Sequence, residues 1–254
     1  MKNSETSNFS LGETDSLTSL RVETKTFAEH LTPTVRPVSP KCAPFNAKVV
    51  NDRVVVRQGD KGGVPLTCNA EVLLRLEANF LCTWDLETKF LAIEGSNFEV
   101  RCLDQRNPLF RVEYKRQPKN VPAAQMHLYA HRDSMTYAMV RAGRTSKRPG
   151  RIGVSESPVP TLQNLHFPLG GHRFRPALED LIEMLIDEFG INRRDDALEV
   201  LKEARIKWRL TQTRAAVRDA PGAAADSLHE LGYQVTPPSE EPPTQRHPNR
   251  LGAL

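Results

Sequence analysis

The sequence predicts an α+β fold: an antiparallel sheet of about five strands followed by three C-terminal helices, with disordered termini. Three observations predict it. Residues 49–131 hold several runs in which apolar and polar side chains alternate, the period of a half-buried strand. Residues 176–232 instead carry apolar side chains three and four apart, the spacing of one helical face. Strands first and helices afterwards suit a sheet with helices packed on one face or end. With 254 residues, 39% of them hydrophobic, the chain can bury a real core.

Residues 1–44 read as a disordered segment. They are rich in Ser, Thr and Glu and end in Pro33, Pro37, Pro40 and Pro44. Few apolar side chains are there to offset the entropy of ordering. Only residues 17–31 show a marginal helical pattern.

Residues 45–160 form the mainly β half of the core. RVVVR at 53–57 is a strand, and Asp60, Lys61, Gly62 and Gly63 make a turn. Residues 72–80 and 90–102 are two more strands, joined by a hairpin loop at 85–89. Gly95, Ser96 and Asn97 break or bulge the second. At 109–115, Arg111, Glu113 and Lys115 face one way and Phe110, Val112 and Tyr114 the other. Residues 125–131 read as a strand in preference to a helix. Asp133 and Ser134 cap a short helix that ends at Gly143.

Residues 161–235 form the helical half. After Pro176, residues Leu178, Leu181, Ile182, Leu185, Ile186 and Phe189 make one apolar stripe, and Gly190 stops the helix. Asp195 caps a longer helix toward Arg218, with Ala197, Leu201, Ala204, Trp208 and Ala215 on one face. A third begins near Pro221, with Leu228 and Leu231 inward. Residues 236–254 hold five prolines and read as a loose tail.

Several classes fall away. No apolar run reaches the ~18–20 residues of a membrane span, so no membrane partner is expected. The N-terminus lacks the apolar core of a secretory signal. The four cysteines show no paired spacing, which argues against a zinc ribbon or a disulfide scaffold. A cytoplasmic location and the absence of any cofactor or metal are the expectations.

Net charge is +4, and the excess of basic residues lies in the middle of the chain. Its densest part is Arg141, Arg144, Lys147, Arg148 and Arg151, a run suited to a phosphate backbone or to a solvated loop.

Two blocks carry chemistry. In HLYAHRD at 127–133, His127, Tyr129 and His131 share one strand face. Their histidine Cα atoms are about 13 Å apart on a strand, too far to share one ion easily, whereas on a helix the i and i+4 spacing would chelate well. A single histidine as general base, with Arg132 or Arg111 on an anion, is the functional alternative. The neighbouring strand places Arg111, Glu113 and Lys115 beside them, as an acid/base surface or as a salt-bridge ladder.

In the second block, Gly170, Gly171, His172, Arg173 and Arg175 lead into a helix start, where backbone amides favour anions. The competing reading pairs Arg173 and Arg175 with Glu179, Asp180 or Glu183. The block is neither a Walker A motif nor a dinucleotide fingerprint.

The order PLFRVEY (108–114), HLYAHRD (127–133), LHFPLGGHRFRPALEDLIEML (165–185), WRLTQTRAAVRDAP (208–221) and ELGYQV (230–235) resembles a family of bacterial proteins without an assigned activity. The likeness covers about residues 65–236 and implies an architecture, with no catalytic residues. The FRVEY strand followed by a histidine strand is also similar to TumE-type toxins of toxin–antitoxin pairs.

The expected function is RNA or nucleotide recognition, with RNA cleavage in a toxin–antitoxin or mobile-element setting. His127 and His131 are the catalytic candidates. Arg111, Arg132, Gly170, Gly171, His172, Arg173 and Arg175 are the anion-binding candidates, and one site is expected to combine both groups. The alternative is a non-catalytic protein-interaction module, whose acidic helix 177–189 and basic helix 200–218 bind a protein partner.

Overall fold

The structure, a computed structural model, describes residues 11–50, 53–60, 62–85, 90–103, 107–129, 167–169, 172–237 and 247–253. The fold is α+β. One antiparallel sheet runs β1 (Phe45–Val50), β2 (Arg53–Gln58), β4 (Glu71–Trp84), β5 (Leu91–Cys102), β6 (Phe110–Lys115), β7 (Ala124–Leu128) and β8 (Phe167–Pro168). A further strand, β3 (Val64–Cys68), pairs with the first half of β4. The sheet therefore has eight strands among the described residues, against the five expected. The short β1 and β3 and the two-residue β8 account for the difference.

Alternation dictates which face is covered. Val54 and Val56 stand opposite Cys82 and Phe80, and Phe98 and Val100 stand opposite Val112 and Phe110. All are at most 8% exposed. Directly opposed residues share a face, so these line one apolar side. The bulge on β5 falls at Glu94, beside the expected Gly95, where the register with β4 shifts. Gly63 is required in its turn: its φ is +91°, and a Cβ would lie 2.9 Å from Leu76 O.

The apolar side is covered by α1 (Leu11–Val35), α2 (Leu178–Phe189) and α3 (Ala197–Asp219). Helix α1 corrects the expectation of a disordered segment over 1–44. Its inner face carries Leu20, Thr24, Ala28, Leu31 and Val35, all nearly inaccessible. Phe27 meets Phe80 edge-on at 5.1 Å, and Phe80 meets Phe98 at 5.4 Å. The threonines hide the stripe from a hydrophobic reading. Thr24 Oγ1 donates to Leu20 O at 2.6 Å and Thr34 Oγ1 to His30 O at 3.1 Å. Each buried hydroxyl is thus satisfied within the helix. Thr32 Oγ1 also accepts the Phe45 N–H at 3.0 Å, tying the helix to β1.

The helical half follows the expected order. Leu178, Leu181, Ile182 and Leu185 are buried, while Ile186 and Phe189 are half-buried. Gly190 ends α2 at φ 62°, with its N–H on Ile186 O. Asp196, and not Asp195, stands at the N-cap of α3, and its carboxylate holds Arg194. Helix α4 (Pro221–Glu230) buries no residue. Leu228 and Leu231 are 39% and 74% exposed, which corrects their expected inward placement. Helix α4 follows directly on the end of α3 and contacts it.

Residues 248–251 form a helical turn, α5 (Pro248–Leu251), where a loose tail was expected. The reason is an ion pair: Arg250 Nη1 lies 3.2 Å from the buried Asp219. All four cysteines are free, and burial pushes the Cys82 thiol up to about 12, so it is a core side chain. No helix among the described residues is long and apolar enough to cross a membrane.

Candidate functional site

Strand β6 supplies chemistry to both faces of the sheet, because successive side chains point to opposite sides. Arg111 and Glu113 pair across to His127 and Gln125 of β7. On the other face Tyr114 points at the block that precedes α2.

The polar face centres on Glu113. Its carboxylate accepts from Gln125 Nε2 at 3.0 Å and lies 3.2 Å from Lys115 Nζ. His127 Nε2 is 3.6 Å away and Arg111 Nη2 3.7 Å. The imidazole beside it holds the Glu113 pKa down to about 2; burial opposes this, and Gln125 and Lys115 reinforce it. His127 itself is only 4% exposed. This is the cross-strand ladder that the sequence offered as one of two readings, closed around one carboxylate.

The helix-covered face holds a cavity of about 620 Å³ between the sheet, α1 and α3. That volume suits a small molecule. Its wall is aromatic and aliphatic over much of its extent, with Phe27, Phe80, Phe98 and Trp208 among the lining. An adjoining cleft of about 440 Å³ shares Arg116, His172, His247 and Arg250 with it. No carboxylate lines that cleft among the described residues.

Four guanidiniums gather where the two spaces meet. Arg173 Nε lies 2.6 Å from Asp219 Oδ2, and Arg250 Nη1 3.2 Å from Asp219 Oδ1. Asp219 is 1% exposed. Burial alone would raise its pKa, yet the two guanidiniums hold it below the usual carboxylate range. The other two have no carboxylate within ion-pair distance among the described residues. Arg116 donates to Trp84 O at 3.2 Å, and Arg175 donates to His172 O.

Arg175 is the extreme case. It is 8% exposed and its guanidinium carbon lies 3.7 Å above the Tyr114 ring and 5.7 Å from that of Trp208. Burial lowers its pKa to about 10, so it is charged at neutral pH. A buried charge is costly unless paired. Burial lowers the Arg116 pKa too, with Arg250 adding to it. His172, 5% exposed, shares a hydrogen bond of 3.1 Å with the Tyr114 hydroxyl through Nδ1. Burial first, then Arg173, Arg250 and Arg175, push its pKa down to about 4. Its ring is therefore neutral at pH 7.

The two halves of the expected site do not meet. Arg111 and His127 share the polar face, whereas His172, Arg173 and Arg175 lie on the helix-covered side. The sheet separates them, because Glu113 and Tyr114 alternate. His131, Arg132, Gly170, Gly171 and the basic run at 141–151 lie outside the described residues. Arg173 pairs with Asp219 and not with the acids of α2. Those acids are engaged by α3: Arg205 bonds Asp180 at 2.7 Å and also Glu183. The acidic and basic helices are thus partners of each other.

Sequence reading missed Tyr114, Arg116, Asp219 and Arg250 as site residues. Asp219 had a visible signal, since an acid at the junction of two helices is well placed to fasten both. Arg250 had none, being set in a proline-rich stretch. Among the described residues no cluster of three His, Cys, Asp or Glu side chains could hold a metal ion. Compared with protein-family models, curated proteins and solved structures, the chain matches none.

Proposed function

We propose that the protein binds a phosphate-bearing ligand of the nucleotide class where the cationic cleft meets the aromatic cavity. The carrying observation is Arg175, a buried guanidinium with no carboxylate partner among the described residues. An anionic ligand would supply the missing counter-charge, and Arg is suited to phosphate through its planar fork. Arg116 and the carboxylate-free cleft add to the same field. Trp208 provides an aromatic face for the uncharged part of the ligand. RNA cleavage is not carried into this reading, because His127 lies across the sheet from Arg173 and Arg175. The interaction module is the second reading; Arg205 and Arg209 of α3 already engage Asp180 and Glu183 of α2, which leaves less of the two charged helices for a protein partner.

The test is titration calorimetry with ADP and with a short single-stranded RNA at two salt concentrations. ADP should bind, more weakly as salt rises, and Arg175→Met should lower affinity at least tenfold. Folded wild-type protein that takes neither ligand at low salt overturns the reading. Binding of RNA without binding of ADP overturns the mononucleotide site.

A further inference from the structure

Helix α3 presents Trp208 and Gln212, one turn apart, to the same cavity. Gln212 is an odd residue there. Its Oε1 is buried and has no hydrogen-bond partner. No hydrogen bond is made by its amide elsewhere among the described residues. An orphaned buried acceptor is expensive, and it calls for a donor that the protein does not supply. An acyl chain lying in the cavity would leave that acceptor unsatisfied. A heterocyclic base would not, provided an N–H group stands on the edge it presents.

Resting on the nucleotide reading above, we infer that the cavity selects a 6-aminopurine, with Trp208 as its stacking face and Gln212 as the residue that reads the amino group. Arg175 lies between Tyr114 and Trp208 and marks the anionic end. Gln212 is the next turn of α3 after Trp208, about 6 Å along the helix toward Asp219. An amide can accept from the 6-amino group and donate to the adjacent ring nitrogen, the pairing by which Gln recognises adenine. The cavity of about 620 Å³ has room for a two-ring base. A site built to hydrogen-bond one group discriminates against the analogue that lacks it, because its own polar atom is then stranded.

Three probes separate this inference from the reading beneath it: adenosine 5′-monophosphate, purine riboside 5′-monophosphate, which lacks only the amino group, and ribose 5-phosphate. Affinities are measured by calorimetry on wild type and on Gln212→Leu, with circular dichroism to verify that the variant folds. The expected result is that wild type prefers adenosine monophosphate about tenfold over the purine riboside, and that Gln212→Leu abolishes the preference. Equal affinity of wild type for all three probes overturns the inference and leaves the phosphate reading standing. A preference that survives in Gln212→Leu assigns the amino group to another residue and overturns the role of Gln212. No binding of any probe overturns both.

Discussion

The Tyr114 hydroxyl and His172 Nδ1, 58 residues apart in sequence, lie 3.1 Å from one another in the buried floor of the site. The imidazole is kept neutral there by burial and by three guanidiniums, with a pKa near 4 against an ordinary 6.5. Between those values the unfolded chain binds a proton that the folded chain refuses, so stability rises with pH across that interval. Lowering the pH from 7 to 4 should cost about 3 kcal/mol through this group. Urea unfolding at pH 7, 5.5 and 4 measures it. His172→Gln should flatten that part of the curve, and an unchanged slope in the variant would reject the assignment.

Glu113 acts in a lower window. Its carboxyl is held at about 2 against an ordinary 4.5. A depressed carboxylate stabilises the fold fully above 4.5, and the contribution is lost as pH falls toward 2. Glu113→Gln should remove this acid sensitivity while leaving the His172 interval intact. The two variants therefore subtract different segments of one pH–stability profile, measured by thermal melts between pH 2 and pH 7.

Arg175 should be a stability cost in the unliganded protein. Replacing it with methionine keeps an unbranched apolar stem but removes a desolvated charge. Arg175→Met is expected to stabilise the free protein by about 1 kcal/mol in urea, while weakening ADP. A variant that is both less stable and unaffected in binding would mean that the Tyr114 stacking is the residue's only role.

Core placement gives a contrast within the helical half. Leu185 is 1% exposed, so Leu185→Ala should cost about 2–5 kcal/mol. Leu231 is 74% exposed, and Leu231→Ala should stay within about 0.5 kcal/mol. Chemical denaturation of both variants checks the pair. A large loss at Leu231 would place it in a contact that the described residues do not make.

The sheet and helices were legible where one kind of side chain carried the pattern. Residues 110–115 alternate so cleanly that both faces could be read from the chain alone, and the partners Arg111 and His127 followed. Helix α1 was legible only as a marginal pattern over 17–31, because its inner face mixes Leu20 and Leu31 with Thr24, whose hydroxyl is satisfied by the Leu20 carbonyl. A hydropathy reading counts that threonine as polar and has no means of seeing the bond. The site was half legible. Arg173 and Arg175 stood out as cations before a helix. What they face was decided by the fold: Asp219 and Arg250 come from distant helix ends, and no spacing rule links residues 46 or 31 positions apart. The histidine strand was assigned to the same site because a linear sequence does not show that a sheet stands between them.

The alternation in β6 also sets how the chain tolerates length changes. One inserted or deleted residue between Phe110 and Tyr114 would slip the strand by one position against β5 and β7, and each slip exchanges the faces. The Tyr114 ring would turn away from His172 and Arg175, and the Glu113 carboxylate would be driven into the apolar side against Phe98 and Met126. A two-residue change would restore the faces but shift every cross-strand pair. This strand is therefore a frame-like element, in which substitutions act locally and single insertions exchange two chemistries at once.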